Sequence, residues 1–213
     1  MVASMEELAT RLAIFQHNRG TDIKLELTLS LSARVNDAAL VEALVAGLPM
    51  AQGIRHRIVR SRGRGAVLTA KVQYRQGVRM LEGFRGEAIL TQDEATGLEI
   101  ARSIVDEFLH PAEEVRFQHI YDWICRNIRY AHTYPGQKGY ERLVGAAGVL
   151  SDGQANCQGF ADVLYLLCSI CGIEIEYRCA RGERRLHVWN AVCLNGEWHE
   201  VDASRGARSL LAN

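Results

Sequence analysis

Two different spacings of apolar residues alternate along the first part of the chain and predict a small unit of helices and strands. Apolar residues three and four positions apart are typical of a helix with one buried face. Apolar residues at every second position are typical of a strand with one buried face. The helical spacing occurs over 5–17 and 37–47, and the alternation occurs over 22–33, 54–59 and 66–74. We therefore expect an α+β domain over residues 1–90.

After residue 90 the pattern becomes mostly helical, and we place a second domain over residues 91–213. Helical spacing predicts three helices there, over 93–109, 112–128 and 157–173. The stretch 132–156 is rich in glycine and polar residues, which predicts a surface loop with a short helix over 140–145. The residues after the third helix alternate again and predict consecutive antiparallel strands.

Composition and charge narrow the class of protein. The chain has 213 residues, of which 48% are apolar and 23% charged, as in ordinary folded proteins. Its 25 basic and 25 acidic residues leave no net charge, so we expect neither nucleic acid nor a membrane surface as partner. No apolar run approaches the roughly 18 to 20 residues of a spanning helix. Glu6 and Glu7 interrupt the segment where an export signal would lie, which favours a cytoplasmic protein with reduced thiols. An exported protein whose signal peptide has been removed is the alternative.

Cys157 stands at the predicted start of the apolar helix over 157–173. Unpaired backbone N–H groups and the helix dipole at such an end favour negative charge, and therefore the thiolate form of a cysteine. The thiolate is the nucleophilic form, and the same N–H groups can hold the oxyanion of a tetrahedral intermediate. Free cysteines are also commonly ordinary buried residues, so the surrounding sequence has to decide between these readings.

The segments LHVWNAVCL and EWHEVDAS are joined by Asn195 and Gly196, a strong signal for a two-residue hairpin turn. Counting outward from this turn pairs Leu194 with Glu197, Val192 with His199, Trp189 with Asp202 and His187 with Ser204. His187 and Asp202 then lie on one face as diagonal neighbours, about 7 to 8 Å apart at the backbone. A carboxylate there can orient the imidazole and stabilise its protonated form.

Cys157, His187 and Asp202 are therefore the candidate catalytic residues. A cysteine at a helix start, a histidine about 30 residues later and an aspartate on the paired strand supply the nucleophile, base and orienting group of acyl transfer. His187 taken alone is explained equally well as a polar residue at a strand end. The inference rests on the three residues together.

The run GQANCQGFADVLYLLCSICGIEIEYRCARG, followed by LHVWNAVCLNGEWHEVDAS, closely resembles the transglutaminase-like superfamily of papain-type cysteine enzymes. The shared features are Cys-Gln-Gly with an aromatic and Ala, Gly-Ile after the helix, His-x-Trp-Asn, Trp and Val-Asp, in the same order. The resemblance covers residues 112–205 and implies a bacterial member with a papain-like core, in which the helix carrying the cysteine packs on an antiparallel sheet. It also implies Cys157 as nucleophile, His187 as general base and Asp202 as third member.

Three more residues are candidates for contact with a substrate. Gln154 precedes the nucleophile by three positions and is a candidate oxyanion donor, although the backbone N–H of Cys157 is the expected one. Gln158 follows the nucleophile, where a local hydrogen bond is the alternative. Trp189, close to His187, either forms a wall of the site or packs in the sheet.

Cys168 and Cys171 have a CxxC spacing, but they lie inside the apolar helix, whereas zinc sites place such pairs in turns. We therefore expect core thiols, no metal and no cofactor. Arginines are grouped over 55–64 and again over 178–185 with Arg205. The second group is explained as a face of the protein exposed to water. The second group has an alternative role as a rim that selects acidic groups. The first lacks the interleaved aromatic residues of a nucleic-acid site.

We expect a cysteine-dependent amide-bond hydrolase, a protease or amidase, or an acyltransferase acting through a thioester on Cys157. The expected substrate is a peptide or protein. Hydrolysis is favoured over transfer because the sequence shows no pocket for a second amine. A catalytically silent module of the same fold, which holds a peptide or partner protein in its groove, remains the alternative.

Overall fold

The computed structural model describes residues 1–181 and 186–210. Contacts divide these residues into two compact units, one of 1–74 with 179–181 and the other of 75–178 with 186–210. The two-domain division after residue 90 stays a prediction. Arg184 and Arg185, which belong to the second arginine group of the sequence, lie outside the described residues, as does the side chain of Arg181.

The first unit packs helices on a three-stranded antiparallel sheet. Its helices are α1 (Met5–His17), α2 (Leu29–Arg34) and α3 (Asp37–Gly47), and its strands are β1 (Asp22–Leu27), β2 (Ala51–Ser61) and β3 (Gly65–Tyr74). The strand order is β1-β3-β2, with both pairings antiparallel. One face of the sheet is buried with the helices in a single apolar core, which includes Leu8, Leu12, Leu27, Leu40, Leu44 and Leu68.

The predicted strand over 22–33 ends early in the structure. β1 stops at Leu27, and the following residues form α2. The side chain of Thr28 accepts a hydrogen bond from the N–H of Leu31 (3.3 Å), which is the contact that begins a helix at its N-cap. Within that helix Leu31 is buried and Leu29 is exposed, so the alternating leucines belong to two different elements.

The second unit is mostly helical. Its helices are α4 (Gln76–Phe84), α5 (Gln92–Asp106), α6 (Glu113–Asn127), α7 (Tyr140–Val144), α8 (Ala146–Asp152), α9 (Cys157–Ile170) and α10 (Ala203–Leu210). Its strands are β4 (Arg129–Tyr130), β5 (Gln154–Ala155), β7 (Leu186–Leu194) and β8 (Glu197–Val201), together with the first part of β6 (Ile175–Arg181). The sheet β6-β7-β8 lies beside the central helix α9, which packs against β7.

The predicted α+β class is confirmed, and so are the three long helices of the second unit, with ends shifted by a few residues. Side-chain N-caps explain where most of the long helices begin. These caps are Ser4 for α1, Asn36 for α3, Thr91 for α5 and Asn156 for α9.

Helices α4, α8 and α10 were not expected, and α8 lies in the stretch interpreted as a loop. None of the helices in the described part of the chain is both long and apolar enough to cross a membrane.

The hairpin turn at Asn195 and Gly196 is also confirmed. Both residues have positive φ, 52° and 84°, as this kind of two-residue turn requires. The strands pair as the turn predicts, from Leu194 with Glu197 to the last pair, Asn190 with Val201. The two outer pairs that we expected are replaced by α10, which begins at Ala203.

Gly65 lies where the start of β3 packs against the end of β1, and substitutions there test how close this packing is. Its φ is +90°, and a Cβ atom there would collide with the backbone oxygen of Leu27. Gly63, in the same turn, has a φ of +74° and open space around it. Gly63→Ala should cost about 1–2 kcal/mol of unfolding free energy from backbone strain alone, and Gly65→Ala about 1–3 kcal/mol more from the collision. Equal losses for the two variants in urea unfolding would contradict this packing.

Candidate active site

Asn156 determines where α9 begins and which of its N–H groups stay available. The Oδ1 atom of Asn156 accepts hydrogen bonds from the N–H groups of Gln158 (2.9 Å) and Gly159 (3.3 Å). The backbone oxygen of Asn156 accepts the N–H of Phe160 (3.0 Å). The described residues provide no hydrogen-bond acceptor for the N–H of Cys157. The first turn of α9 therefore has one N–H group to offer a substrate oxygen, and it belongs to the cysteine itself.

The short helix α7 lies over this first turn. The backbone oxygen of Leu143 accepts the N–H of Asn156 (3.0 Å). The same oxygen lies so close to Gly159 that a Cβ atom at that position would collide with it. Just before α9, β5 pairs in parallel with β4, where Gln154 faces Arg129. The start of α9, and with it Cys157, is thus held by α7 and by this strand pair.

His187 and Asp202 are in contact, as expected, although the strand pairing ends one residue before Asp202. The Nε2 atom of His187 lies 2.8 Å from Oδ2 of Asp202. Oδ1 of Asp202 accepts the N–H (3.1 Å) and the hydroxyl (2.6 Å) of Ser204 in the first turn of α10. The guanidinium of Arg205 also lies 3.0 Å from Oδ2. The carboxylate is therefore held in place by α10, and it fixes the orientation of the imidazole.

The arrangement leaves Nδ1 of His187 as the ring nitrogen for a thiol. Because Nε2 faces a carboxylate, it carries the proton of the neutral ring, and Nδ1 is then the acceptor. Cys157 is half-buried at the start of α9, the helix that packs against the strand of His187. Sγ of Cys157 and the ring nitrogens of His187, all in the described part of the chain, do not form a hydrogen bond in this structure. The structure thus brings two of the three candidate residues into contact, and the catalytic role of all three stays a prediction.

The other candidate residues fall into different surroundings. Trp189 stacks on His187, with ring centroids 5.5 Å apart and planes inclined by 19°, and its indole N–H donates to Glu200. Gln158 donates from Nε2 to the hydroxyl of Tyr140 (3.0 Å) and accepts from Arg75 at Oε1 (3.4 Å). Gln154 is exposed on β5. Their roles in binding a substrate stay predictions.

The arginines near the hairpin have local partners where they are described. Arg178 forms an ion pair with Glu176 and lies 3.5 Å from Glu200. Arg205 contacts Asp202, as above. A rim of arginines that selects acidic groups stays a prediction. Among the described residues, no group of three His, Cys, Asp or Glu side chains is placed to hold a metal ion.

Sequence reasoning missed Tyr140, which lies beside the start of α9. Its hydroxyl accepts the hydrogen bond of Gln158, so the hydroxyl proton is available to a further acceptor. Burial raises the pKa of Tyr140, and the nearby Cys157 and Glu141 add to this effect, while Gln158 and Arg75 oppose it. The phenol therefore keeps its proton at neutral pH. A lone tyrosine in a glycine-rich stretch gave no signal in the sequence.

Sequence reasoning also missed a buried polar network around Asp162, one helical turn and a half after Cys157. This fully buried carboxylate accepts hydrogen bonds from the N–H groups of Gly77 (2.9 Å) and Ala146 (2.8 Å) and from the hydroxyl of Tyr177 (2.6 Å). Burial raises the pKa of Asp162, whereas Arg75 and the three donors oppose this rise.

Arg75 connects this network to the start of α9. Its side chain is buried, with 1% of its surface exposed, and its guanidinium lies 5.2 Å from the ring centroid of Tyr177. The same guanidinium reaches Gln158, the neighbour of Cys157. Since the N–H groups of Gly77 and Ala146 belong to the first turns of α4 and α8, one carboxylate joins three helices close to the cysteine.

The chain matches a known family in this region. Residues 99–203 match the family model described as the transglutaminase-like superfamily. The kyphoscoliosis peptidases of Mus musculus and Homo sapiens are each 28% identical to the chain over 122 residues. These alignments cover 51% of the chain and 18% of each peptidase, so the chain matches less than a fifth of the length of these relatives.

Solved structures give more distant similarities. A structure described as a TGase aligns with a TM-score of 0.46 and 11% identity, over 85% of this chain and 50% of that chain. The periplasmic domain of TgpA from Pseudomonas aeruginosa, bound to ethylmercury, aligns with a TM-score of 0.40 and 12% identity, over 67% of this chain and 57% of that chain.

The network around Asp162 predicts a large loss of stability when its carboxylate is removed. Asp162→Ala leaves two backbone N–H groups and a buried hydroxyl without their acceptor, and each unsatisfied buried donor costs about 1–3 kcal/mol, so we expect a loss of about 3–5 kcal/mol. Tyr177→Phe removes one donor and keeps the packing, so its loss should be about 1 kcal/mol. Urea unfolding of both variants measures the difference. A loss in Asp162→Ala no greater than in Tyr177→Phe would refute the proposed central role of this carboxylate.

Proposed function

Because residues 99–203 make this chain a member of the transglutaminase-like superfamily, we propose that it is an enzyme that breaks or exchanges an amide bond through a thioester on Cys157. The observation that supports this most is the 2.8 Å contact between His187 and Asp202, on the hairpin beside the helix that Cys157 begins. A base held by a carboxylate is what a thiol nucleophile needs from its neighbours.

The first step forms the thioester. The Cys157 thiolate attacks the carbonyl carbon of an amide, a C–S bond forms, and the electron pair of the C=O bond moves to oxygen. The N–H of Cys157, to which the described residues offer no acceptor, donates to this oxyanion. When the intermediate collapses, the C–N bond breaks, and protonated His187 gives its proton to the leaving amine.

The second step returns the enzyme to its starting state. Water, or a second amine, loses a proton to His187 as it attacks the thioester carbonyl, and the C–S bond then breaks to release the Cys157 thiolate. Asp202 stabilises the imidazolium that forms in this step. Because Asp202 contacts Nε2, the other ring nitrogen, Nδ1, points away from the carboxylate. Trp189, stacked on the imidazole, restricts the ring to one plane.

We propose hydrolysis of a peptide or protein substrate as the main reaction. The two curated relatives are named peptidases, which is consistent with a protein substrate for this chain as well. Transfer to an amine needs a second binding pocket beside the thioester, and the described contacts around Cys157 do not identify one. The amide attacked is either a peptide bond or the side chain of a glutamine.

Three variants test this function against a library of glutamine-containing peptides and unfolded proteins, with products identified by mass spectrometry. Cys157→Ala should lower turnover by about 10³-fold or more, because no thioester forms. Asp202→Asn should lower it by about 10²-fold or more, because the imidazole loses its orienting charge. Cys193→Ala, which removes another half-buried thiol, is the matched control and should retain activity.

Two outcomes would contradict the proposal. Turnover by Cys157→Ala equal to that of the wild type would show that the reaction does not use this sulfur. Binding of a peptide from the library without any product, in the wild type and in Cys157→Ala alike, would instead identify a catalytically silent binding module.

A further inference from the structure

The exposed face of the first unit's sheet carries a concentrated positive charge. Strand pairing places its side chains in rows that run across the sheet. One row holds Asp22, Lys71 and Arg55, and the next holds Lys24, Thr69 and Arg57. These six residues line a shallow concavity on the face opposite the core. We call them the basic sheet face.

Most of the positively charged side chains on this face form no ion pair with another described residue. Lys71 lies 3.6 Å from Asp22. Within the described part of the chain, Lys24, Arg55 and Arg57 form no ion pair. Arg60 provides a contrast, because it lies on the same strand but on the other face. Its guanidinium there binds Asp37 and the backbone oxygens of Ser32 in α2 and of Val35 just after it.

Glu26 is the other acidic residue of this face, one row further along, where it is paired with Val67 and not with a cation. The basic sheet face therefore has positively charged side chains that can pair with a negatively charged group from outside the unit.

The strand that carries Arg55 and Arg57 is also an edge of the sheet. β2 runs for 11 residues and pairs with β3 on one side, and no strand among the described residues pairs with its other side. His56 points to the core side of the sheet and is nevertheless exposed, between the half-buried Ile54 and Ile58. An open edge of this length presents backbone N–H and C=O groups to which another extended chain can add.

The spacing of the two arginines matches an added strand. Alternate residues of a strand point to the same face about 6.8 Å apart, and this holds for Arg55 and Arg57 and for any chain paired with them. Opposite charges that face each other across neighbouring strands stabilise the pairing. Acidic side chains at alternate positions of an added peptide would thus meet Arg55 and Arg57 in turn.

We propose that β2 binds an extended acidic segment of a partner protein as a fourth strand, with acidic residues at alternate positions facing Arg55 and Arg57. Residues 1–98 lie outside the match to the family model, so this surface belongs to a part of the chain for which the family implies no role. Nucleic acid is a poorer fit, because the face has no aromatic side chain on which a base could stack. The binding does not require Cys157.

Fluorescence anisotropy with two synthetic peptides tests the proposal. One peptide alternates Glu and Thr, and the other has the same composition with Glu and Thr in blocks, which removes the alternate spacing. The alternating peptide should bind the full chain about tenfold more tightly than the block peptide. Wild type and Cys157→Ala should bind it equally, which separates this surface from the proposed reaction.

Paired charge reversals supply the matched control. Arg55→Glu with Arg57→Glu should weaken binding of the alternating peptide by about tenfold or more. Arg62→Glu with Arg64→Glu makes the same charge change at the turn of the same hairpin and should leave binding within about threefold. Hydrogen exchange should show that the peptide protects backbone amides of β2.

Four results would overturn the proposal. The first is that the alternating peptide does not bind. The second is that both double variants weaken binding equally, which would indicate that binding depends on net charge alone. Binding that leaves the amides of β2 unprotected would exclude strand addition. Equal or tighter binding of a single-stranded oligonucleotide of the same charge would identify a general polyanion surface instead.

Discussion

The proposed role of Cys157 depends on the hydrogen bond between Nε2 of His187 and the carboxylate of Asp202, 2.8 Å apart. That contact joins the two strands of a hairpin to the start of α10, where Ser204 holds the other carboxylate oxygen. With one nitrogen committed to the carboxylate, the imidazole has a single nitrogen left for proton transfer. The same contact holds the imidazole in one orientation, which the acyl transfer that we propose requires.

The structure around the cysteine is organised to keep α9 in place. Asn156 uses two N–H groups of the first turn and leaves that of Cys157, while Leu143 and the absence of a side chain at Gly159 allow α7 to lie against the helix. Deeper in the unit, Asp162 joins α9 to two other helices through their first N–H groups. Burying a carboxylate costs free energy, and its three donors with Arg75 nearby offset that cost.

The sequence predicted those parts of the site that depend on local rules. Asn195 and Gly196 prescribe a two-residue turn, and counting from that turn placed His187 and Asp202 close together, although the strand pairing ends at Val201 and Asp202 lies just before α10. The network of Asp162 could not be found in this way, because Gly77, Ala146 and Tyr177 are far apart in sequence and only the fold makes them neighbours. The helix after Leu27 was missed because a leucine at every second position fits a strand, and the cap at Thr28 overrides that pattern.

The most direct measurement of the central claim needs no substrate. Cys157, Cys171, Cys179 and Cys193 are all half-buried, so their rates of alkylation by iodoacetamide can be compared within one folded chain, with Cys193 as the reference because burial raises the pKa of Cys171. Peptide mapping at neutral pH should show Cys157 reacting about tenfold faster than the other three in the folded protein, because a catalytic base is proposed to activate this sulfur alone. Asp202→Asn should remove most of that advantage. A Cys157 that reacts no faster than Cys193, in the wild type as in Asp202→Asn, would contradict an activated nucleophile at the start of α9.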